Sequence, residues 1–337
     1  GHGDRLGLGG PPAREAELLV LSARSEAALS QQAARLGEHL DAHPDLDLRS
    51  LAQSLATSRD HFEERVALVE TSRAGLLASL ASLSQGQPAA VQGRASTSME
   101  SSVVFVFPGQ GSQWLGMGRE LMASQPVFAE SMRRCDAAIQ AETGWSVLAE
   151  LSADEASSQL ARIDVVQPML FAVGVSLAEL WQSWGVVPSA VVGHSMGEVA
   201  ATHIAGALSL KDAAAVICRR SELMRTISGS GEMAVVELSL EQAEQAVAGV
   251  PELSVAVNNG PRSTVLSGDP AALAKVLEEL EAKGVFVRRV QVDVASHSPQ
   301  VDGLREGLLE ALADLSPQAS RVPVCSTVRA DFIGGEE

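Results

Sequence analysis

Residues 191–198, VVGHSMGE, lie where an apolar run meets an alanine-rich one, and they indicate the class of fold. The two valines end a segment typical of a buried strand, and EVAATHIAGAL at 198–208 has a helical pattern. A serine in a G-x-S-x-G sequence between a strand and a helix is typical of a nucleophile elbow, the sharp turn that presents a reactive hydroxyl. Gly193 and Gly197 lack Cβ atoms, so strand and helix can approach closely around Ser195. The alternative is an ordinary glycine-rich turn between a strand and a helix.

Strand and helix patterns alternate on both sides of this turn. The stretch VVFVF at residues 103–107 is a run of five apolar residues, which predicts a strand buried on both faces, as in a parallel sheet. Helical patterns separate this strand from the one before Ser195. We therefore predict a doubly wound α/β core with Ser195 at the carboxyl end of its sheet, where such folds bind ligands.

A second pattern lies within this core, between about residues 229 and 291. The segments are strand-like EMAVVEL, helical EQAEQAVAG, strand-like LSVAVNNG and STVLSG, helical PAALAKVLEELEAKG and strand-like FVRRVQVDV. The order β-α-β-β-α-β is that of a ferredoxin-like module. We predict that residues 229–291 form a small subdomain inserted into the larger fold.

The N-terminal part of the chain has its own pattern. Residues 1–15 are rich in glycine and proline and predict a leader, and a small α/β unit follows at 16–98. This unit contains strand-like LLVLSA and FEERVALVE and three helical segments, the first with Ser25 as its N-cap. Residues 85–101 are poor in apolar side chains and predict a linker before the second unit, residues 102–337.

Composition excludes several classes of function. Lys and Arg number 25 and Asp and Glu number 42, which gives a net charge of −17. So acidic a surface argues against nucleic acid and anionic membranes as partners. The three cysteines are widely separated and fit neither a zinc site nor a disulfide framework, so we expect no metal and a reducing, cytoplasmic setting. No apolar run approaches the ~20 residues of a membrane span.

A nucleophilic serine needs a base, and the chain has seven histidines. Four of them lie in the leader or the first unit. His194 adjoins the serine, but neighbours at an elbow point apart, and His203 lies two turns along the following helix. His297, in DVASHSPQ at the end of a predicted strand, is the remaining candidate. The alternative for His297 is a solvated or capping side chain in a loop.

Two further stretches point to the same site. The loop FPGQGSQ at 107–113 lacks the third glycine of a dinucleotide-binding fingerprint, but it could bring a backbone N–H to Ser195 as half of an oxyanion hole. Arg219 and Arg220 are consecutive on an apolar helix, about 100° apart, so one of them is expected to face inward. A buried arginine needs an anion, which would be a bound carboxylate or a structural salt bridge.

Taken in order, FPGQGSQ, GHSMGE, RRSELM and VASHS strongly resemble the malonyl-CoA:ACP transacylases. More closely, the chain is similar to the acyltransferase domain of a modular type I polyketide synthase. Residues 16–98 resemble the linker subdomain that joins ketosynthase to acyltransferase. The resemblance covers nearly the whole chain and implies an α/β-hydrolase-like parallel-sheet core with an inserted ferredoxin-like subdomain.

The resemblance also implies a role for each matching residue. Ser195 would be the nucleophile and His297 the base, and the backbone N–H groups of Gln110 and Met196 would form the oxyanion hole. Arg220 would bind the free carboxylate of a malonyl-type unit. The acyl group would pass by a ping-pong mechanism from acyl-CoA to the phosphopantetheine thiol of an acyl carrier protein. No permanently bound cofactor is implied, and the partners would be the carrier protein and the ketosynthase of the same module.

The identity of the extender unit rests on smaller differences. In the family, Y-A-S-H accompanies methylmalonyl and H-A-F-H accompanies malonyl, and here Ser296 replaces the phenylalanine, leaving room for one methyl group. RIDVVQ at 162–167 also resembles the methylmalonyl type, whereas Val294 and Met196 are not the usual methylmalonyl choices. Methylmalonyl-CoA is favoured, with a malonyl-specific enzyme as the alternative.

One difference from the family leaves alternative functions open. The chain ends at DFIGGEE, before a segment resembling N-L-R-x-P-V that orients the histidine in relatives, so residues 102–337 would be an incomplete acyltransferase domain. A serine hydrolase or thioesterase would use the same elbow without needing Arg220. A non-catalytic scaffold fragment of a megasynthase is the third possibility.

Overall fold

A computed structural model describes residues 16–89, 91–95, 102–290, 292 and 294–334. The chain divides into two compact units, residues 1–101 and 102–337. The predicted leader, residues 1–15, lies outside the described residues, as does the second part of the predicted linker, residues 96–101.

Apart from its last strand, the described elements of the first unit are those that the sequence predicts. Its elements are β1 Glu17–Ala23, α1 Glu26–Ala42, α2 Leu48–Thr57, β2 Glu64–Glu70, α3 Arg73–Ser84 and β3 Val91–Arg94. Ser25 is the N-cap of α1 as predicted, and its hydroxyl accepts a hydrogen bond from the Ala28 N–H. The strands form an antiparallel sheet in the order β1-β2-β3, and leucines from strands and helices pack in its core.

Strand β3 lies within residues 85–101, where a linker was predicted. It pairs antiparallel with β2, from Glu64 opposite Arg94 to Ala67 opposite Val91. All four of its residues are exposed, so it carries no apolar pattern that a sequence reading could detect. Backbone hydrogen bonds to β2 hold it at the edge of the sheet, and the linker prediction was wrong there.

The second unit is larger and contains two sheets. Its elements are β4 Val104–Phe107, α4 Arg119–Ser124, α5 Pro126–Thr143, α6 Val147–Ser152, α7 Ile163–Ser183, β5 Ala190–Gly193, α8 Gly197–Ile204, α9 Leu210–Arg225, β6 Glu232–Val236, α10 Leu240–Val247, β7 Leu253–Gly260, β8 Ser263–Gly268, α11 Pro270–Ala282, β9 Val287–Arg289, α12 Arg305–Ala311, β10 Val324–Ser326 and β11 Asp331–Ile333. A 3-10 turn spans Pro299–Leu304.

The first sheet has the order β11-β10-β5-β4. Strands β4, β5 and β10 are parallel, and β11 runs antiparallel to β10. Phe107 of β4 and Ser326 of β10 both lie opposite Gly193 at the end of β5. The strand that leads into Ser195 therefore lies between two parallel neighbours, and its carboxyl end is flanked by the ends of both.

Strand β4 differs from its prediction in burial. Val104 is 51% exposed and Val106 is 69% exposed, whereas Phe107 is buried. These two valines are two positions apart and therefore lie on the same face of the strand, which is uncovered among the described residues. A run of apolar residues cannot distinguish an edge strand from a central one, and the expectation of burial on both faces was wrong.

Helix α7 is long and apolar enough to span a membrane by length and composition, with a mean hydropathy of 1.5 over its most apolar window. The sequence reading expected no such segment. Within the described residues 67% of that window is buried, and the helix packs against α5, α8 and α9. Phe171, Ala172 and Val175 are fully buried there, so α7 is the central core helix of this unit.

The inserted subdomain is ferredoxin-like, as the sequence predicted. Its sheet is antiparallel and has the order β7-β8-β6-β9, which places the first and third strands of the β-α-β-β-α-β unit at the centre. Helices α10 and α11 cover one face, with Leu266 and Leu273 fully buried between sheet and helices. The chain leaves at β9 and returns to the parallel core.

The core predicts a measurable cost for truncating Phe128, which is fully buried on α5. Phe128→Ala should lower the free energy of unfolding by about 3–5 kcal/mol, because it leaves a cavity that the surrounding side chains cannot fill. Urea denaturation followed by tryptophan fluorescence measures this unit alone, since Trp114, Trp145, Trp181 and Trp184 all lie in it.

Val127, next to Phe128 on the same helix and 40% exposed, provides the matched control. Val127→Ala should change the free energy of unfolding by less than about 0.5 kcal/mol. Equal effects of the two substitutions would contradict the packing described for α5.

Candidate active site

The turn from β5 to α8 has the geometry of a nucleophile elbow. Ser195 has a φ of 53°, a left-handed conformation that a residue with a side chain rarely adopts. A Cβ at Gly193 would lie 2.2 Å from the Glu198 backbone nitrogen, and one at Gly197 would lie 2.3 Å from the Phe107 carbonyl oxygen. Only glycine fits at these two positions, which explains the G-x-S-x-G spacing around the serine.

Glu198, which was not predicted to be important from the sequence, stabilises the end of the elbow through hydrogen bonds. Its Oε1 accepts hydrogen bonds from the Thr327 N–H at 2.7 Å, the Thr327 hydroxyl at 3.0 Å and the Ser326 hydroxyl at 3.2 Å. The Thr327 hydroxyl also contacts the Gly193 carbonyl oxygen at 3.1 Å. The first turn of α8 is thereby tied to the residues at the end of β10.

The imidazole of His297 lies against the serine. Its Nε2 is 2.9 Å from the Ser195 Oγ, although the two residues are 102 positions apart. His297 has a φ of 59°, so its backbone too is left-handed. Its predicted position at a strand end was wrong, because β9 ends at Arg289 and His297 lies in the irregular loop before the 3-10 turn.

The surroundings of His297 lower the pKa of its imidazole below the ordinary value of 6.5. Burial is the largest cause, and the positive charge of Arg220 and the neighbouring His194 act in the same direction. The Glu198 carboxylate opposes them more weakly. A lowered pKa keeps the ring neutral near pH 7, as a base that accepts the serine proton must be.

The two consecutive arginines of α9 have separate environments. Arg219 forms ion pairs with Glu142 at 2.9 Å and with Asp314 at 2.6 Å, so it is the structural salt bridge. Arg220 donates from Nη1 to the amide oxygen of Gln167 at 2.6 Å and has no ion pair with any described residue. Burial lowers the pKa of Arg220, since a desolvated guanidinium is less stable in its charged form. Arg220 is therefore the inward-facing cation.

Two backbone N–H groups near Ser195 have no acceptor among the described residues. They belong to Gln110, in the loop after β4, and to Met196, directly before α8. The loop fits closely against the elbow, since a Cβ at Gly109 would lie 2.8 Å from the His194 Nδ1. Both N–H groups are thus available to an oxyanion formed beside Ser195.

A cavity of about 570 Å³ opens over this arrangement. Core residues line one side and the inserted sheet lines the other; they include Gln110, Gln167, Ser195, Met196, Ser296 and His297 from the core, and Met233, Val235, Val257, Val265 and Arg288 from the insert. Arg220 does not line the cavity itself but contacts Gln167, which does.

The specificity candidates fall into two groups. Ser296 and Met196 line the cavity, where they can contact a bound acyl group. Val294 is buried beside Ile163 and Met224 and does not line the cavity, so it does not contact a ligand there directly.

The pKa shift of His297 predicts how the reactivity of Ser195 varies with pH. Because the folded-state pKa is lowered, the neutral imidazole persists at lower pH, and reactivity should decline only below pH 6.5. The rate of Ser195 labelling by a fluorophosphonate probe measures the midpoint. Arg220→Met should raise the midpoint, since it removes a nearby positive charge.

Ser195→Ala provides the background, and it should not react with the probe. A midpoint at or above 6.5 in the unaltered protein would show that His297 is not held as described.

Comparison with known proteins bears on this geometry. Residues 104–333 match the family described as acyl transferase domain, and residues 17–80 match the region described as CurL-like, PKS C-terminal. The erythronolide synthase EryA2 of Saccharopolyspora erythraea is 47% identical over 323 residues, covering 95% of this chain and 9% of that protein. The polyketide synthase GfsB of Streptomyces halstedii is 46% identical over 345 residues, covering 99% of this chain and 6% of that protein. The chain thus spans less than a tenth of these relatives.

Solved structures give the same result. The acyltransferase domain from module 8 of the salinomycin polyketide synthase matches with a TM-score of 0.88 and 40% identity, over 96% of this chain and 77% of that one. The acyltransferase domain of SpnD, in complex with 2-(pent-4-yn-1-yl)malonyl, matches with a TM-score of 0.86 and 26% identity, over 96% and 76%. The α/β-hydrolase-like core with a small inserted subdomain is thereby confirmed. The chain belongs to the acyl transferase domain family, in the form carried by modular polyketide synthases, and it is an acyltransferase.

Proposed function

We propose that this acyltransferase loads a malonyl-type extender unit, preferably methylmalonyl, from CoA onto an acyl carrier protein in polyketide biosynthesis. The observation that carries the proposal is the 2.9 Å contact between His297 Nε2 and Ser195 Oγ, beside the cavity. In addition, the only hydrogen-bond partner of the Arg220 guanidinium among the described residues is the neutral side chain of Gln167. Ser195 and His297 would catalyse the acyl transfer, and Arg220 would bind the free carboxylate of the substrate.

In the first half-reaction His297 takes the proton of the Ser195 hydroxyl as its oxygen attacks the thioester carbonyl carbon. The carbonyl oxygen becomes an oxyanion, which accepts hydrogen bonds from the N–H groups of Gln110 and Met196. When the tetrahedral intermediate collapses, the carbon–sulfur bond breaks and His297 gives its proton to the departing CoA thiolate. The acyl group remains as an ester on Ser195.

In the second half-reaction the same groups act in reverse. His297 takes the proton of the phosphopantetheine thiol of the carrier protein as the sulfur attacks the ester carbonyl. The oxyanion returns to the same two N–H groups. The bond to Ser195 Oγ then breaks, the serine oxygen recovers the proton from His297, and the carrier protein leaves with the extender unit as a thioester.

Arg220 supports the choice of a malonyl-type unit. Its charge is partly desolvated, and a substrate carboxylate would form a bidentate, charge-assisted pair with it. A substrate that lacks this group leaves the guanidinium without an anion, at a cost of about 1.5–3 kcal/mol for each charged hydrogen bond not formed. The solved SpnD domain is in complex with a substituted malonyl group, which is a ligand of this type.

The shape of the cavity supports methylmalonyl over malonyl. Ser296 lines the cavity and is smaller than the phenylalanine of the malonyl-type motif, which leaves space for a methyl group. Burial of one methyl group is worth only about 1 kcal/mol. The preference is therefore expected to be moderate, and a malonyl-specific enzyme is the alternative outcome.

The partners follow from the same assignment. An acyl carrier protein would deliver its phosphopantetheine thiol to the cavity, and the ketosynthase of the same module would lie beyond residues 16–98, the proposed ketosynthase–acyltransferase linker. The match of residues 17–80 to a polyketide-synthase region supports this linker. Cys135, Cys218 and Cys325 are free thiols, in keeping with the cytoplasmic setting that we propose.

The test of transfer is the intact mass of the chain after incubation with methylmalonyl-CoA. We expect an acyl adduct that is absent in Ser195→Ala. In Arg220→Ala its formation should slow by about 100-fold or more, the free-energy equivalent of two lost charged hydrogen bonds. Addition of a carrier protein thiol should discharge the adduct.

Other outcomes favour the rival functions. An adduct that water removes as fast as it forms would identify a thioesterase-like hydrolase. Absence of any adduct from correctly folded protein would identify a scaffold. Unchanged loading in Arg220→Ala would refute the carboxylate site.

Extender preference is tested by competition between methylmalonyl-CoA and malonyl-CoA at equal concentration. We expect the methylmalonyl adduct to exceed the malonyl adduct by about fivefold, as the burial of one methyl group allows. Ser296→Phe should reverse the ratio by filling the methyl space, whereas an excess of malonyl adduct in the unaltered protein would establish the alternative.

A further inference from the structure

One buried amide connects the two parts of the proposed site. Gln167, on α7, is only 3% exposed, and its side chain contacts residues from two other segments. Its Oε1 accepts a hydrogen bond from Arg220 Nη1 at 2.6 Å, and its Nε2 donates to Gln110 Oε1 at 3.3 Å. Arg220 belongs to the proposed carboxylate site and Gln110 to the proposed oxyanion hole.

The chemistry of arginine fixes the direction of this chain of hydrogen bonds. A guanidinium has only donors, so the atom of Gln167 that faces Arg220 must be the amide oxygen. The amide nitrogen then faces Gln110, which must present its own oxygen. The sequence of donors is Arg220 to Gln167 to Gln110, and a positive charge at its start strengthens both bonds.

Helices α7 and α9, which carry Gln167 and Arg220, are held together by packing and by an ion pair. Gln167 is followed by Pro168 and Met169, both buried in the core. Asp164, one turn before it, forms ion pairs with Arg162 and, at 3.3 Å, with Arg225 of α9. Helices α7 and α9 are thus linked at two levels, and Gln167 has little freedom to move away from Arg220.

We propose that Gln167 is a positioning residue that couples recognition of the substrate carboxylate to the oxyanion hole. It holds the guanidinium of Arg220 against the residues that line the cavity, and through the Gln110 side chain it holds the loop whose backbone N–H would bind the developing oxyanion. This inference rests on the proposed roles of Arg220 and Gln110.

Two substrates distinguish the proposed role of Gln167 from that of Arg220. Methylmalonyl-CoA and propionyl-CoA differ only by the distal carboxylate. A residue that serves the carboxylate alone affects only methylmalonyl transfer. A residue that also supports the oxyanion hole affects both substrates, because both pass through the same oxyanion.

The experiment measures single-turnover acylation of Ser195 by each substrate in variants of the full chain. Arg220→Met should slow methylmalonyl transfer by about 100-fold and propionyl transfer by far less, because propionyl has no carboxylate to pair with the guanidinium. Gln167→Met, of similar volume but without hydrogen bonds, should slow both substrates by about 10-fold, as a displaced oxyanion donor does. For propionyl-CoA the loss should fall on the saturating rate and not on KM.

A second variant and a control complete the set. Gln167→Glu can accept from Arg220 but cannot donate to Gln110 when ionised, so it should slow propionyl transfer as Gln167→Met does and methylmalonyl transfer more strongly. Gln182→Met, at the far end of α7, should leave both rates unchanged. The pH midpoint of Ser195 labelling should stay constant in Gln167→Met, because the charge of Arg220 remains.

The results distinguish this inference from the function on which it rests. If Gln167→Met slows only methylmalonyl transfer, or neither substrate, the coupling to the oxyanion hole is wrong whatever Arg220 does. If Arg220→Met leaves methylmalonyl transfer unchanged, the proposed carboxylate site fails. Thermal melting of each variant shows whether the fold is intact, and Gln167→Glu decides the question if Gln167→Met does not fold.

Discussion

The hydrogen bond between Ser195 and His297 depends on two backbone conformations that side-chain-bearing residues rarely adopt. Both residues have a positive φ, of 53° and 59°, in segments far apart in the chain. Each such residue costs about 1–3 kcal/mol, so the surrounding structure must hold it in place. Around Ser195 this is achieved by the close approach at Gly193 and Gly197 and by the carboxylate of Glu198.

The positive charge of Arg220 has two effects on the electrostatics of the site. Arg220 lacks an ion pair among the described residues, while its neighbour Arg219 has two. Burial is the main cause of the lowered pKa of His297, and the uncompensated charge of Arg220 lowers it further. The same charge attracts an anion to the cavity, although the chain as a whole has a net charge of −17. A local cation thus favours both a neutral base and a carboxylate-bearing ligand.

Most of the fold was predictable because its strands and helices bury one face or both. The elbow, the ferredoxin-like insert and the elements of the first unit except β3 follow from apolar periodicity and from capping residues such as Ser25. The failures were strand β3, the burial of β4 and the length of β9, and strands β10 and β11 were not predicted. In each of these cases the pairing or burial of a strand depends on its neighbours, which periodicity does not report.

For the site, the sequence alone showed which residue types were present and where the turn must be sharp, since glycine spacing is a local steric property. It singled out Ser195, His297 and the pair Arg219 and Arg220, but it could not decide which arginine faces inward. The folded structure was needed to show that Glu142 and Asp314 neutralise Arg219 and that Gln167 connects Arg220 to Gln110. These contacts join residues far apart in the chain, and packing between elements, not any local pattern, brings them together.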